Sequence, residues 1–222
     1  MEKHTCVIHS GEQGSPEWFL ARLGKITASR FGDVMTKGRG GNTSKTAESY
    51  MAELIGEKLT GENKFFVSPA VAWGSDHEDH ARDCYMWRTS NTVKQVGFAT
   101  IMERPMIGAS SDGLVGDDGM IEIKCPYNSV NHVRTIISKE VPSEYIYQVQ
   151  GQMWVLNKDW CDFVSYDPRM PESHRMIIIR VERDDEKIEA LSERIEIFCE
   201  RMKEMELEVD TKACEAFMEK SE

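Results

Sequence analysis

Three ionisable residues stand in two short runs: Asp112 in Ser110-Ser111-Asp112-Gly113-Leu114, and Glu122 with Lys124 in Glu122-Ile123-Lys124-Cys125-Pro126. Between them, Gly116-Asp117-Asp118-Gly119 is a turn signal flanked by apolar residues, so the segment reads as a β-hairpin. Folding that hairpin places Asp112 opposite Glu122 or one step away, with Cβ atoms about 4.5–5.5 Å apart. Side chains alternate along a strand, so Glu122 and Lys124 share one face while Ile121 and Ile123 point to the other. Two carboxylates and an ammonium beside an apolar face suit metal-assisted phosphodiester hydrolysis.

Plainer readings stand beside this one. A lone Glu-x-Lys on a strand is commonly a solvated face, and Asp before Gly is commonly a turn residue. Charge alone does not decide between them. The net charge of −11 is unusual for a protein that meets DNA, but it is unevenly spread. Residues 20–46 hold six basic side chains against one acid, whereas residues 184–222 hold fourteen acids against six bases. An acidic exterior with a locally basic channel would guide DNA to one place.

The elements that must position these residues follow from periodicity and turn chemistry. The 222 residues predict a single domain over 1–222, with a C-terminal acidic helical segment at about 184–222. Pro16–Arg22 reads as a short helix. A second helix is expected to open at Thr27-Ala28-Ser29, with Thr27 or Ser29 as its cap. Gly38-Arg39-Gly40-Gly41-Asn42 reads as a loop. Helices are expected at about 44–60, 69–90, 128–138, 142–156 and 184–208. Strands are expected at about 93–102, 106–115, 119–124, 160–166 and 174–182. The last helix carries Ile188, Leu191, Ile195, Phe198, Met202 and Met205 at three- and four-residue spacing, a core or subunit stripe. The fold class is α/β (α+β), a central mixed sheet flanked by helices. No run of 18 apolar residues is present, the first residues lack the apolar stretch of a secretory signal, and six scattered cysteines form no Cys-x-x-Cys. These features predict a cytoplasmic protein with reduced thiols.

Six runs, in order, resemble the PD-(D/E)XK nuclease superfamily and, within it, the phage lambda exonuclease and YqaJ-type viral recombination nucleases. They are Trp18 through Ser29, Ala72-Trp73-Gly74 with Glu78, Ser110 through Leu114, Glu122 through Pro126, Gln148-Val149-Gln150 with Met153-Trp154-Val155, and Tyr166-Asp167-Pro168-Arg169-Met170. The resemblance covers about residues 10–208 and implies a PD-(D/E)XK restriction-endonuclease-like core. One departure is Ser111, where the superfamily often has proline before the first acid.

Asp112 and Glu122 are the candidate ligands of Mg²⁺, with the carbonyl of Ile123 as a third oxygen; Mn²⁺ is expected to substitute, and two ions are expected. Lys124 would position the attacking water and neutralise charge on the phosphorane. The resemblance implies that Glu78 faces the metals and that Gln148 contacts the metal-bound water or the scissile phosphate. It also implies that Arg22, Thr27, Ser29 and Ser110 form a pocket for a terminal 5′-phosphate, a role that a forked guanidinium and hydroxyls at a helix start suit chemically. Arg39 aligns with an arginine that enters a DNA groove, and Val71 with an apolar wedge at the duplex end. Pro69 stands where a phosphate-contacting lysine is expected, with Lys64 as the candidate replacement, and Val130 stands where an arginine is expected. His77 and His80 lack further nitrogen or thiol partners for a zinc site.

The implied activity is a Mg²⁺-dependent 5′→3′ exonuclease on double-stranded DNA ends. It would release mononucleotides and leave a 3′ overhang for a phage single-strand annealing protein during recombination. The resemblance further implies a toroidal homotrimer, encoded by a phage or prophage and acting in the bacterial cytoplasm. The competing readings are an endonuclease on the same core and a non-catalytic DNA-end-binding module.

Overall fold

The computed structural model describes residues 3–41, 43–63 and 68–219, so Lys64 lies outside the described residues. In chain order the elements are β1 (Cys6–Ile8), α1 (Pro16–Arg22), β2 (Ile26–Thr27), α2 (Phe31–Met35), α3 (Lys45–Thr60) and α4 (Pro69–Thr89). Then come β3 (Val93–Lys94), β4 (Ala99–Ile101), β5 (Arg104–Ala109), β6 (Gly113–Val115) and β7 (Gly119–Lys124). The chain closes with α5 (Ser129–Ser138), α6 (Ser143–Val155), β8 (Trp160–Tyr166), β9 (Met176–Glu182) and α7 (Asp185–Met218). Helix starts follow local chemistry. Ser15, Ser44, Ser68, Asn128 and Asp184 each accept a hydrogen bond from a backbone N–H of the first turn, and α1 and α4 begin on proline.

The expected mixed sheet is present as two mixed sheets. One has the order β1-β4-β5-β2 and the other β3-β6-β7-β8-β9. Within the second, β7 runs parallel to β8 and antiparallel to β6. The α5–α6 pair makes the crossover that a parallel pairing requires. Two strands expected to be continuous are split between the sheets. The 93–102 segment divides into β3 and β4, and in the gap Gly97 passes close to the Gly11 segment, where a Cβ would lie 2.6 Å from the Gly11 carbonyl oxygen. The 106–115 segment breaks at 110–112, where the chain leaves β5 and enters β6. That break is where Asp112 sits.

The second sheet is buried on both faces. Met120, Cys161 and Phe163 pack into the core shared with α3, α6 and α7, while Ile121, Ile123, Val164 and Tyr166 pack with Ala81 and Tyr85 of α4. Glu122 has the parity of Met120 and therefore faces α6. Helix α6 is buried along 149–155. Gly151 permits its close seat, since a Cβ there would lie 2.2 Å from Cδ2 of Phe31. The stripe on α7 is core from Ile188 to Met202, with Met205 packed at its edge.

Three further expectations are corrected. No α-helix opens at Thr27: Ile26–Thr27 pairs with β5, a 3-10 turn follows at Ala28–Arg30, and neither Thr27 nor Ser29 caps with its side chain. Helix α7 continues ten residues past 208, where Val209, Phe217 and Met218 are exposed. Strands β1 and β2 were not foreseen, because two- and three-residue strands carry too little periodicity to read. Among the described residues, no helix is long and apolar enough to cross a membrane. All six cysteines are free thiols.

Candidate active site

The β6–β7 register pairs Gly113 with Ile121, which sets Asp112 opposite Glu122 one step beyond the ladder. The Asp112 N–H continues that pairing by donating to the Ile121 carbonyl at 3.2 Å. Its carboxylate turns back, and Oδ2 accepts the Ile123 N–H at 2.5 Å. Glu122 is 2% exposed, yet its carboxylate is well supplied with donors. Oε1 accepts from Lys124 Nζ at 2.6 Å and from Gln148 Nε2 at 2.5 Å, and Oε2 accepts from Gln152 Nε2 at 2.6 Å. Lys124 Nζ also lies 5.0 Å from the Tyr145 ring centroid.

Electrostatics couple these groups. Burial pushes the Asp112 carboxyl well above the usual aspartate range, and the nearby Glu122 and Glu78 carboxylates push it further. Burial alone would lower the Lys124 ammonium, but Glu122 and Asp112 outweigh it and hold Lys124 above the ordinary lysine range. Lys124 is thus a fixed cation suited to orienting and stabilising charge.

Glu78 approaches from α4. Burial, with Glu122 next to it, raises its carboxyl, while Arg82 opposes that rise. Arg82 donates to Glu78 Oε1 at 2.6 Å and to the Asp112 carbonyl at 3.0 Å, so one guanidinium ties α4 to the first acid. Glu78 and Lys124 both line an open cavity of ≈ 840 Å³. Val71 lies at its α4 rim and Arg134 on its α5 wall.

The second predicted constellation is linked through Trp18. Its Nε1 donates to Ser110 Oγ at 2.9 Å, and the Arg22 guanidinium lies 4.2 Å from its ring centroid. Burial lowers Arg22 to about 10. Thr27 pairs opposite Gly108, two residues before Ser110, and its hydroxyl is 3.3 Å from that of Ser29. Arg39 stands apart, exposed in the 3-10 turn Arg39–Gly41. His77 bonds the Trp73 carbonyl and His80 bonds the Tyr166 hydroxyl, so both imidazoles are engaged outside the carboxylate cluster.

Several contributors escaped sequence reasoning. Gln152, Arg82 and Tyr145 have no motif of their own, and Trp18, though it opens the first matching run, had no role assigned; only the i, i+4 spacing of Gln148 and Gln152 hinted at a shared helix face. The Tyr166–Met170 run also gains a structural meaning. Buried Asp167 accepts from the Ser129 hydroxyl and from Arg169, and Arg169 reaches the Pro126 and Tyr127 carbonyls at 3.1 Å. The same guanidinium lies 4.4 Å from the Trp73 ring centroid, fastening the segment after Lys124 to α4.

Among the described residues, no group of three or more His, Cys, Asp or Glu side chains forms a cation cage. The buried Asp112–Glu122 pair, with Glu78, Ile123 and Lys124 of its surroundings lining the open cavity, still fits Mg²⁺, which keeps several waters and takes one or two carboxylates from protein. Repulsion among Asp112, Glu122 and Glu78 is what a divalent cation would relieve. Ile123 touches Asp112 through its N–H.

The YqaJ-like viral recombinase domain matches residues 17–159. An alkaline exonuclease from Laribacter hongkongensis (LHK-Exo) is 41% identical and superposes with a TM-score of 0.82, covering 91% of this chain and 100% of that one. The same enzyme solved in complex with dAMP gives a TM-score of 0.83 at 41% identity and the same coverage of both chains. Uncharacterized protein R354 of Acanthamoeba polyphaga mimivirus is 26% identical over 167 residues, 69% of this chain. The chain spans only 29% of that relative's length.

Proposed function

From the premise that this chain belongs to the YqaJ-like viral recombinase domain family, we propose that it is a metal-dependent exonuclease acting on double-stranded DNA ends. The observation that carries this reading is the meeting of Asp112, Glu122 and Lys124 on paired strands, with Lys124 and Glu78 lining the open cavity. The likeness to an alkaline exonuclease at 41% identity over nearly the whole chain supports it. A relative solved with dAMP, a mononucleotide, is consistent with mononucleotide release.

Asp112, Glu122 and the Ile123 carbonyl would hold Mg²⁺, with Glu78 behind them and a second ion completing the site. The metal, when bound, supplies an activated water and stabilises the departing 3′-oxygen. Lys124 presents its ammonium to the cavity, where it orients the water and offsets charge that builds on the phosphorus oxygens. Gln148 places an amide donor beside the same carboxylate. Arg22, Thr27, Ser29 and Ser110 hold the terminal 5′-phosphate, which makes digestion start from an end and run 5′→3′. Val71 meets the duplex end and Arg39 the groove beyond it. The product is a 3′ overhang for an annealing protein, and a homotrimeric ring around the DNA accounts for continued digestion.

Digestion of an end-labelled linear duplex with Mg²⁺ tests this reading. Release of labelled mononucleotide from the 5′ end, abolished by chelation, is expected. Release from the 3′ end overturns the polarity, and cutting of a covalently closed plasmid overturns the exonuclease assignment in favour of an endonuclease.

A further inference from the structure

Gln152 has no role in the proposed chemistry, yet it is 1% exposed and touches both acid-bearing segments. Its Nε2 donates to Glu122 Oε2 at 2.6 Å and to the Ser110 carbonyl at 2.7 Å. Ser110 is two residues before Asp112, in the break between the sheets. One amide nitrogen therefore joins the strand that carries Glu122 to the segment that carries Asp112.

The other end of the amide shows how strongly this orientation is imposed. Oε1 is buried and has no hydrogen-bond partner among the described residues. Leaving such an acceptor unpaired costs about 1–3 kcal/mol. A flip of the amide would set Oε1 against a carboxylate and a carbonyl, which is worse. The side chain is thus a poor choice for core stability and a good one for presenting two N–H groups.

We propose that Gln152 is a positioning residue that fixes the carboxylate of Glu122 relative to Asp112, so that the pair is pre-set for a divalent cation. This rests on the metal-dependent nuclease reading. Gln148 supports Oε1 of Glu122, and buried Gln152 supports Oε2. Hydrogen-bond partners behind a ligating carboxylate typically change metal affinity or activity by about 10–100-fold when removed.

The test is Gln152→Met, which keeps length and burial but removes both donors. Mn²⁺ binding is measured by titration calorimetry without DNA, alongside thermal melting and the Mg²⁺ dependence of digestion. The expected result is Mn²⁺ affinity at least 10-fold weaker and a matching rise in the Mg²⁺ needed for half-maximal rate. The melting temperature should fall only modestly, since losing the orphan oxygen partly offsets the Glu122 Oε2 and Ser110 carbonyl acceptors left without this donor. A folded Gln152→Met protein with wild-type Mn²⁺ affinity overturns the proposal, as does a loss of activity that only follows a fall in melting temperature. If Gln152→Met does not fold, Gln152→Leu carries the same measurements. Failure of the underlying reading is distinct: the wild-type protein would then neither bind Mn²⁺ nor digest DNA.

Discussion

Replacing Arg22 by alanine is expected to erase a preference for 5′-phosphorylated ends. The guanidinium is half-buried against Trp18 and Phe98, and among the described residues it makes no ion pair. Burial lowers it from 12.5 to about 10, with Tyr50 and Glu57 acting the other way. That drop corresponds to roughly 3 kcal/mol against the charged form, although the group remains a cation at neutral pH. A phosphate beside it would recover part of this, and one charge-assisted hydrogen bond contributes about 1.5–3 kcal/mol. The wild-type protein should therefore digest 5′-phosphoryl duplex roughly 10–150-fold faster than 5′-hydroxyl duplex at limiting DNA. Arg22→Ala should bring that ratio close to unity. Arg22→Lys should fall between, since it keeps the charge but loses the planar fork and its stack on Trp18. The assay is initial rate on two linear duplexes that differ only in the terminal phosphate. A folded Arg22→Ala protein that retains the wild-type ratio, even with both rates lowered, would refute the pocket.

Lys124→Met should lower turnover by about 10²–10³-fold while leaving affinity for DNA ends within a few-fold, measured by single-turnover digestion and equilibrium binding. A rate near wild type would remove Lys124 from the chemistry. Gly151→Ala should destabilise the fold by about 1–3 kcal/mol through overpacking against Phe31, despite the roughly 1 kcal/mol that alanine adds in a helix interior; denaturant unfolding would read this, and net stabilisation would contradict the packing argument. Asp167 links stability to acid. Burial alone would raise its carboxyl, but hydrogen bonds from Arg169 and Ser129 hold it at about 2, below its ordinary 3.8. Its contribution of roughly 2 kcal/mol is present above about pH 4 and lost as pH falls toward 2, so Asp167→Asn should flatten that part of the stability profile.

The hairpin was legible because its signals are local. A turn signal closing between two apolar runs sets the register, and register with side-chain alternation puts Asp112 across from Glu122 and Lys124 on the Glu122 face. Most helix starts were legible for the same reason, since a serine cap and the proline after it act within one turn. The break at Ser110–Asp112 was not legible. Nothing in Ala109-Ser110-Ser111 marks a change of sheet, because the change is imposed by which strands are free to pair with β5 and β6. The α-helix expected at Thr27 failed similarly: pairing with Ile107 and Gly108 of β5 holds Ile26–Thr27 extended.

Residue type and short-range spacing were enough to determine the pair of acids, the ammonium beside them and the resemblance they carry. Which groups stand behind those acids was decided only by tertiary structure. Gln152 lies 30 residues from Glu122, Arg82 lies 30 from Asp112, and Trp18 lies 92 from Ser110. Such contacts leave no mark in local sequence pattern, because the free energy that selects them comes from burying α4 and α6 against opposite faces of one sheet.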